Sequence, residues 1–473
     1  MSEPRLGLIG GIAASRPLLA SAVIAFGFAA IAAVGFQRVD AAFEDAGLAM
    51  LASLALTVLL PASAAAIAPK NFWLRAIYAG FAAGLLLAAR RLVLQLGVSW
   101  GPLDLDIALA TAAATVFLLA IGAPLWRAAL SHSLIGLSAV VLAIAAGLAA
   151  IAIEIARVDL IAAAGPLTGL AAGMGAALAV QIAAGFSRAF AEGRSNFEAA
   201  AEAARDAAAP AFFGLVVGIA VALAAVANDP AANDTMATVR VAAAVMAFAV
   251  AAPLIMLPGA LSLRAPTELT AVAENRRRAM VRPFLNAVRT LLPPSSAIAA
   301  TSIFLIGAIV AAFQARVPAG SGEIIVIATV AAASALTFVS MRTSIVLTLF
   351  LLAATRISGW AIEIAGLAPL TEFARVIAAA LAAAVSAQLF LAWRDRRNPR
   401  RKAREVAQMA LADALFAMIA ASALAAAALA SSEAAGLWSE GVEAAALAAA
   451  LSLAAALVGP ALITAASAIF GRR

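Results

Sequence analysis

Few residues in this chain have side chains able to do chemistry inside a membrane, and two of them are amides. Gln181 and Gln388 stand within apolar runs, where an amide costs free energy unless its donor and acceptor are hydrogen-bonded. Two readings follow: an interhelical hydrogen bond of about 1 kcal/mol, or a polar station for a substrate. Arg240 and Glu443 form a second set. They occupy corresponding positions near the external starts of two helices, where opposite charges either pair across the molecule or are simply solvated. Catalysis has no support. The chain lacks HExxH, GxSxG and Walker patterns, and it contains no cysteine and one histidine, His132. Thiolate and multi-histidine metal sites are thereby excluded, so the expectation is a protein with no catalytic residues, metal or cofactor.

The amides belong to a longer correspondence. Gln181, Glu198 and Asp206 precede Gln388, Glu405 and Asp413 by the same interval, 207 residues. Phe186 and Trp393 keep that interval as well. Each copy reads as an apolar helix with one amide, an aromatic, a charged stretch, and an Ala-rich helix opened by an Asp that favours the helix N-terminus. Both close on a Pro-containing apolar run, LIMLPGAL at 254 to 261 and LVGPALI at 457 to 463. Repeated helical units are a common construction of transporters, with sites at the repeat interface. Gln181 and Gln388 are therefore expected to face one another across a pseudo-twofold axis.

What must position these residues is a bundle in a bilayer. Of the 473 residues, 65% are hydrophobic and 12% charged, which no water-soluble globule tolerates. Apolar stretches near 17 to 36, 46 to 68, 72 to 96, 104 to 126, 133 to 156, 160 to 186, 209 to 227 and 237 to 262 make a first group of spans. A second lies near 295 to 315, 323 to 340, 343 to 362, 371 to 393, 405 to 430 and 441 to 469, the third interrupted by Arg356. The fold class is thus an all-α polytopic membrane protein of about 14 transmembrane helices in two pseudo-symmetric halves. Residues 1 to 263 form the first half, with a helical hairpin at 46 to 96; 264 to 294 form a basic cytoplasmic linker; 295 to 473 form the second half. The net charge of +7 is no nucleic-acid signal, because the arginines gather in alternate loops. Segments 264 to 292 and 394 to 404 are cytoplasmic on this pattern, and both termini with them.

The run GMGAALAVQIAAGFSRAFAEGRSNFEAAAEAARDAAAPAFF from 173, with AVAAPLIMLPGALSL after it and RLGLIGGIAASRPLLASAVIAFGF near the N-terminus, resembles the resistance-nodulation-division superfamily. The likeness is to its lipid-exporter branch, which includes the hopanoid transporters. It implies two halves of related helices and a hydrophobic substrate. Two departures stand beside it. The large extracytoplasmic domains of that superfamily are replaced by the hairpin at 46 to 96 and by RVPAGSGE at 316 to 323. The intramembrane acid of its proton-driven members is absent, since the corresponding stretches read Gly175, Ala176, Ala177 and Ala382, Ala383, Ala384. A glutamine cannot titrate, so a proton relay there is not expected.

The functional expectation is an inner-membrane, transporter-like protein that handles a hydrophobic or lipid substrate without that relay. The alternative is a structural or assembly subunit of a larger membrane complex, built on a degenerate transporter fold. Membrane lipids are the expected partners under the first reading and other membrane-protein subunits under the second. Nucleic acid is expected under neither.

Overall fold

A computed structural model of the chain describes residues 161–228, individual helical positions between 246 and 262, and residues 269–314, 321–338, 340–366, 370–398, 400–434 and 440–470. The five spans expected before residue 160, the hairpin at 46 to 96 and Arg240 lie outside the described residues. Within them the chain is helical, with no strand. We number the helices α1 (Ile161–Ala191), α2 (Asn196–Asn228), α3 (Leu269–Val288), α4 (Pro294–Gln314), α5 (Ser321–Phe338), α6 (Met341–Ile364), α7 (Glu372–Arg396), α8 (Ala403–Ala434) and α9 (Gly441–Phe470). Six of them contain stretches long and apolar enough to cross a bilayer, in α2, α4, α6, α7, α8 and α9. The protein is an all-α polytopic membrane protein.

Alanine and leucine, the strongest helix formers, fill these segments, and their ends are written locally. After α1, Gly193 takes φ 86, a left-handed conformation open to glycine at no steric cost. Its N–H bonds to the Phe190 carbonyl at 3.0 Å and that of Arg194 to the Ala189 carbonyl at 3.2 Å, a Schellman stop. The next helix starts at once: the Ser195 hydroxyl accepts from Glu198 N–H at 3.3 Å, and the Glu198 carboxylate accepts from Ser195 N–H at 3.1 Å. This reciprocal pair is a capping box. It also corrects the sequence reading, which starts the span at 209. The polar stretch and the apolar one are a single helix from Asn196, as they are from Ala403 in the second copy. Asp206 and Asp413 therefore sit well inside α2 and α8 and cap neither.

The linker expected at 264 to 294 is itself helical over most of its length. In α3, Val281, Leu285 and Val288 share one face at helical spacing, with Val281 6% and Val288 1% exposed. That face lays α3 against α1 and α8, and a 3-10 turn, Arg289–Leu291, leads to α4.

Packing is crosswise at the centre. The hairpins α1–α2 and α7–α8 interlock, α1 against α8 and α7 against α2. Small residues allow the close approach: a Cβ on Gly185 of α1 would lie 3.3 Å from the Ala203 Cβ of α2. Around this centre, Phe304, Phe350 and Phe390 form a ladder through α4, α6 and α7 with ring centroids 5.9 and 6.4 Å apart. The outer faces are apolar, with Phe313 87%, Leu336 74% and Ile303 71% exposed. In a bilayer those side chains meet acyl chains.

Candidate functional site

A cavity of about 800 Å³ opens between the two hairpins at the end of the bundle where α1 and α7 finish and α2 and α8 begin. Gln181 and Gln388 both line it. Each amide lies seven residues, about 10 Å of helix, before the end that carries Arg188 or Asp395. The walls between are Ala184, Gly185, Leu391, Ala392 and Ala417. α3 closes one side with Arg277, Arg278, Val281, Arg282 and Leu285.

The rim is charged and largely paired. Arg188 at the end of α1 donates to Asp206 of α2 at 2.9 Å, and Arg396 at the end of α7 donates to Asp413 of α8 at 2.8 Å. The same ion pair thus closes each hairpin. Arg394 holds Asp395 at 2.7 Å, and Arg194 lies 3.7 Å from Glu202. Arg394 has a second task, donating to the Thr337 and Phe338 carbonyls at the C-terminus of α5, where the helix dipole favours a cation. Arg277 donates to the Ala184 carbonyl at 2.9 Å and lies 5.9 Å from the Phe416 ring centroid, which pins α3 across α1 and α8.

Deeper in, the polar groups are less settled. The Gln181 Oε1 atom is buried and accepts no hydrogen bond. Gln388 is 7% exposed. A buried acceptor without a donor costs about 1–3 kcal/mol, so the cavity contains an unmet demand for a hydrogen-bond donor. Among the described residues there is no cluster of three or more metal-ligating side chains. What the arrangement can do is bind, with apolar walls, two amides and an ionic rim.

At the opposite end of the bundle the described helix ends are tied to one another. Glu323 in the first turn of α5 lies 3.2 Å from Arg356 of α6 and 3.2 Å from Arg375 of α7, and its side chain is 8% exposed. Glu372 accepts from the Gly322 N–H at 2.6 Å, tying the start of α7 to the start of α5. Glu440 accepts from the N–H of Thr371 at 3.3 Å and from its hydroxyl, tying α9 to the N-cap of α7. These contacts join four helix ends.

The sequence reading puts Glu323 at the boundary between RVPAGSGE and the following span; it and Glu372 are engaged in helix-to-helix contacts. Arg356, the residue that made α6 an uncertain span, was the available signal, because an arginine inside an apolar helix requires a counter-ion. The α3 arginines were missed as cavity residues too, although Val281, Leu285 and Val288 mark the buried face. Glu443 is exposed at the start of α9, and its expected partner Arg240 lies outside the described residues.

No family model matches the chain, and no curated protein does. Among solved structures it is similar to SecDF, a translocon-associated membrane protein from Thermus thermophilus, with a TM-score of 0.43 and 11% sequence identity over 84% of this chain. The match spans 63% of that protein.

Proposed function

We propose that this chain is a transporter-like protein of the inner membrane which accommodates a hydrophobic molecule, a lipid, in the cavity between its two hairpins. It is not an enzyme. The observation that carries this reading is the cavity itself: about 800 Å³ at the end of the bundle opposite the buried Glu323 ion pairs, with an amide from each hairpin and apolar walls beneath a charged rim. A cavity of that volume lies in the usual range for small-molecule sites. With the basic segments 264 to 292 and 394 to 404 in the cytoplasm, and both termini with them, it opens inward. The residue runs that resemble the lipid-exporting branch supply α1, α2 and their turn, the elements that form one wall.

The same reading leaves out a proton relay through the central helices. Gly175, Ala177, Ala382 and Ala383 are buried and carry nothing that titrates. Glu323 is the buried acid of the described residues, and it is clamped between two arginines at the far end.

The test is lipid movement by the full chain in proteoliposomes, followed as the loss of a fluorescent lipid analogue from quencher reach. Ala392→Trp, which fills the cavity from α7, should abolish the movement, and an imposed pH gradient should not drive it. Absence of lipid movement together with co-purification in fixed ratio with other membrane proteins would replace this reading by that of an assembly subunit.

A further inference from the structure

We infer that Gln181 and Gln388 form a polar subsite for the hydroxyl group of an uncharged amphiphile. This rests on the reading of the cavity as a lipid site and specifies the class of lipid. Both amides line the cavity, and among the described residues neither makes a hydrogen bond: the Gln181 Oε1 is buried without a donor, and Gln388, only 7% exposed, has no partner on α7 or on the described helices packed against it. The two amides therefore do not satisfy one another. An amide has N–H donors and a carbonyl acceptor, and a hydroxyl is the smallest group that can accept from the one and donate to the other.

The charges of the cavity select against an ion. Its lining holds five arginines and five carboxylates, so the formal charges cancel and leave no surplus of either sign for a charged headgroup to neutralise. Those charges stand at the rim, whereas the amides lie about 10 Å of helix deeper, beyond the apolar walls formed by Leu391, Ala392 and Ala417. A charged group drawn to that depth leaves water without gaining a counter-ion. A hydroxyl loses only its hydrogen bonds to water and regains them from the amides, a far smaller cost. The apolar part of the ligand then lies along the walls.

The test is equilibrium binding to the full chain in phosphatidylcholine nanodiscs, with protein-free nanodiscs as the measure of partition into lipid. Four probes are compared: dioctanoylglycerol, its methyl ether, dioctanoyl phosphatidic acid and glycerol. Dioctanoylglycerol should bind about three- to tenfold more tightly than the ether, which lacks the hydroxyl donor, and more tightly than the anionic phosphatidic acid. In the double variant Gln181→Leu/Gln388→Leu, which keeps the side-chain bulk, the preference for hydroxyl over ether should vanish while the ether still binds. Equal affinity of wild type for hydroxyl and ether, or a preference that survives the double variant, would overturn the amide subsite while leaving the lipid cavity standing. Tighter binding of phosphatidic acid would overturn the uncharged class. Glycerol binding as tightly as dioctanoylglycerol, with the same glutamine dependence, would show a free-polyol site and overturn the amphiphile. Failure of all three lipids to bind would remove the lipid cavity and this inference together.

Discussion

The two ends of the bundle hold their charges in opposite ways. At the cavity, Asp206 and Asp413 are paired with arginines whose side chains remain 37% and 44% exposed, so water shares each interaction. At the other end, Glu323 and its two arginines are 8% and 16% exposed and are shielded from that competition. An exposed pair contributes about 0–1 kcal/mol, whereas removing one member of a buried pair leaves an unpaired charge and costs about 3–5 kcal/mol. The difference teaches that ion pairs at one end fix the helices, while those at the other line an opening that stays accessible.

The largest expected effect tests the end held by Glu323. Glu323→Ala should destabilise the protein by about 3–5 kcal/mol, read from denaturant unfolding in detergent, because Arg356 and Arg375 then face each other without a counter-ion. Replacing all three together, as Glu323→Leu, Arg356→Leu and Arg375→Met, should restore most of that loss, since the desolvation penalty disappears with the charges. If the triple replacement is as damaging as the single one, the ion triad is not the source of the effect.

Next in size is the packing that brings the hairpins together. Gly185→Leu should cost about 1–3 kcal/mol, since its side chain must push α1 from α2 at a point where a Cβ alone already meets Ala203. Smaller again are Asp206→Asn and Asp413→Asn, each worth about 1 kcal/mol or less, with the difference from wild type shrinking further as salt is raised. A salt-insensitive loss at Asp206 would show that the cavity rim is as dry as the far end and would erase the contrast. The smallest change is expected at Gln181→Leu, within about 1 kcal/mol of wild type and toward greater stability, because the amide oxygen it removes accepts no hydrogen bond.

How far these features were legible in the sequence follows from how each is encoded. Apolar length encodes a span, and the readings 295 to 315 and 371 to 393 agree closely with α4 and α7. The start of α2 was misplaced because a stretch such as Glu198 to Arg205 is polar enough to read as a connector, while its Ala content and the Ser195–Glu198 cap make it helix. Gln181 and Gln388 stood out by type alone, and both line the cavity. Glu323 did not, since a carboxylate at the edge of an apolar run looks solvated until the partners brought by α6 and α7 are known. The α3 arginines were read as loop charge for a similar reason: four arginines hide a three-residue apolar face.

Sidedness of the cavity is the central claim, and this Cys-free chain permits a direct measurement. Single cysteines at Gln388 inside the cavity, at Arg400 in the basic segment beside it, and at Asn233 in the segment expected on the other side are treated with a membrane-impermeant maleimide in oriented vesicles. The account predicts that Gln388→Cys reacts from the side that labels Arg400→Cys and not from the side that labels Asn233→Cys. Reaction of Gln388→Cys from the Asn233 side alone would contradict it.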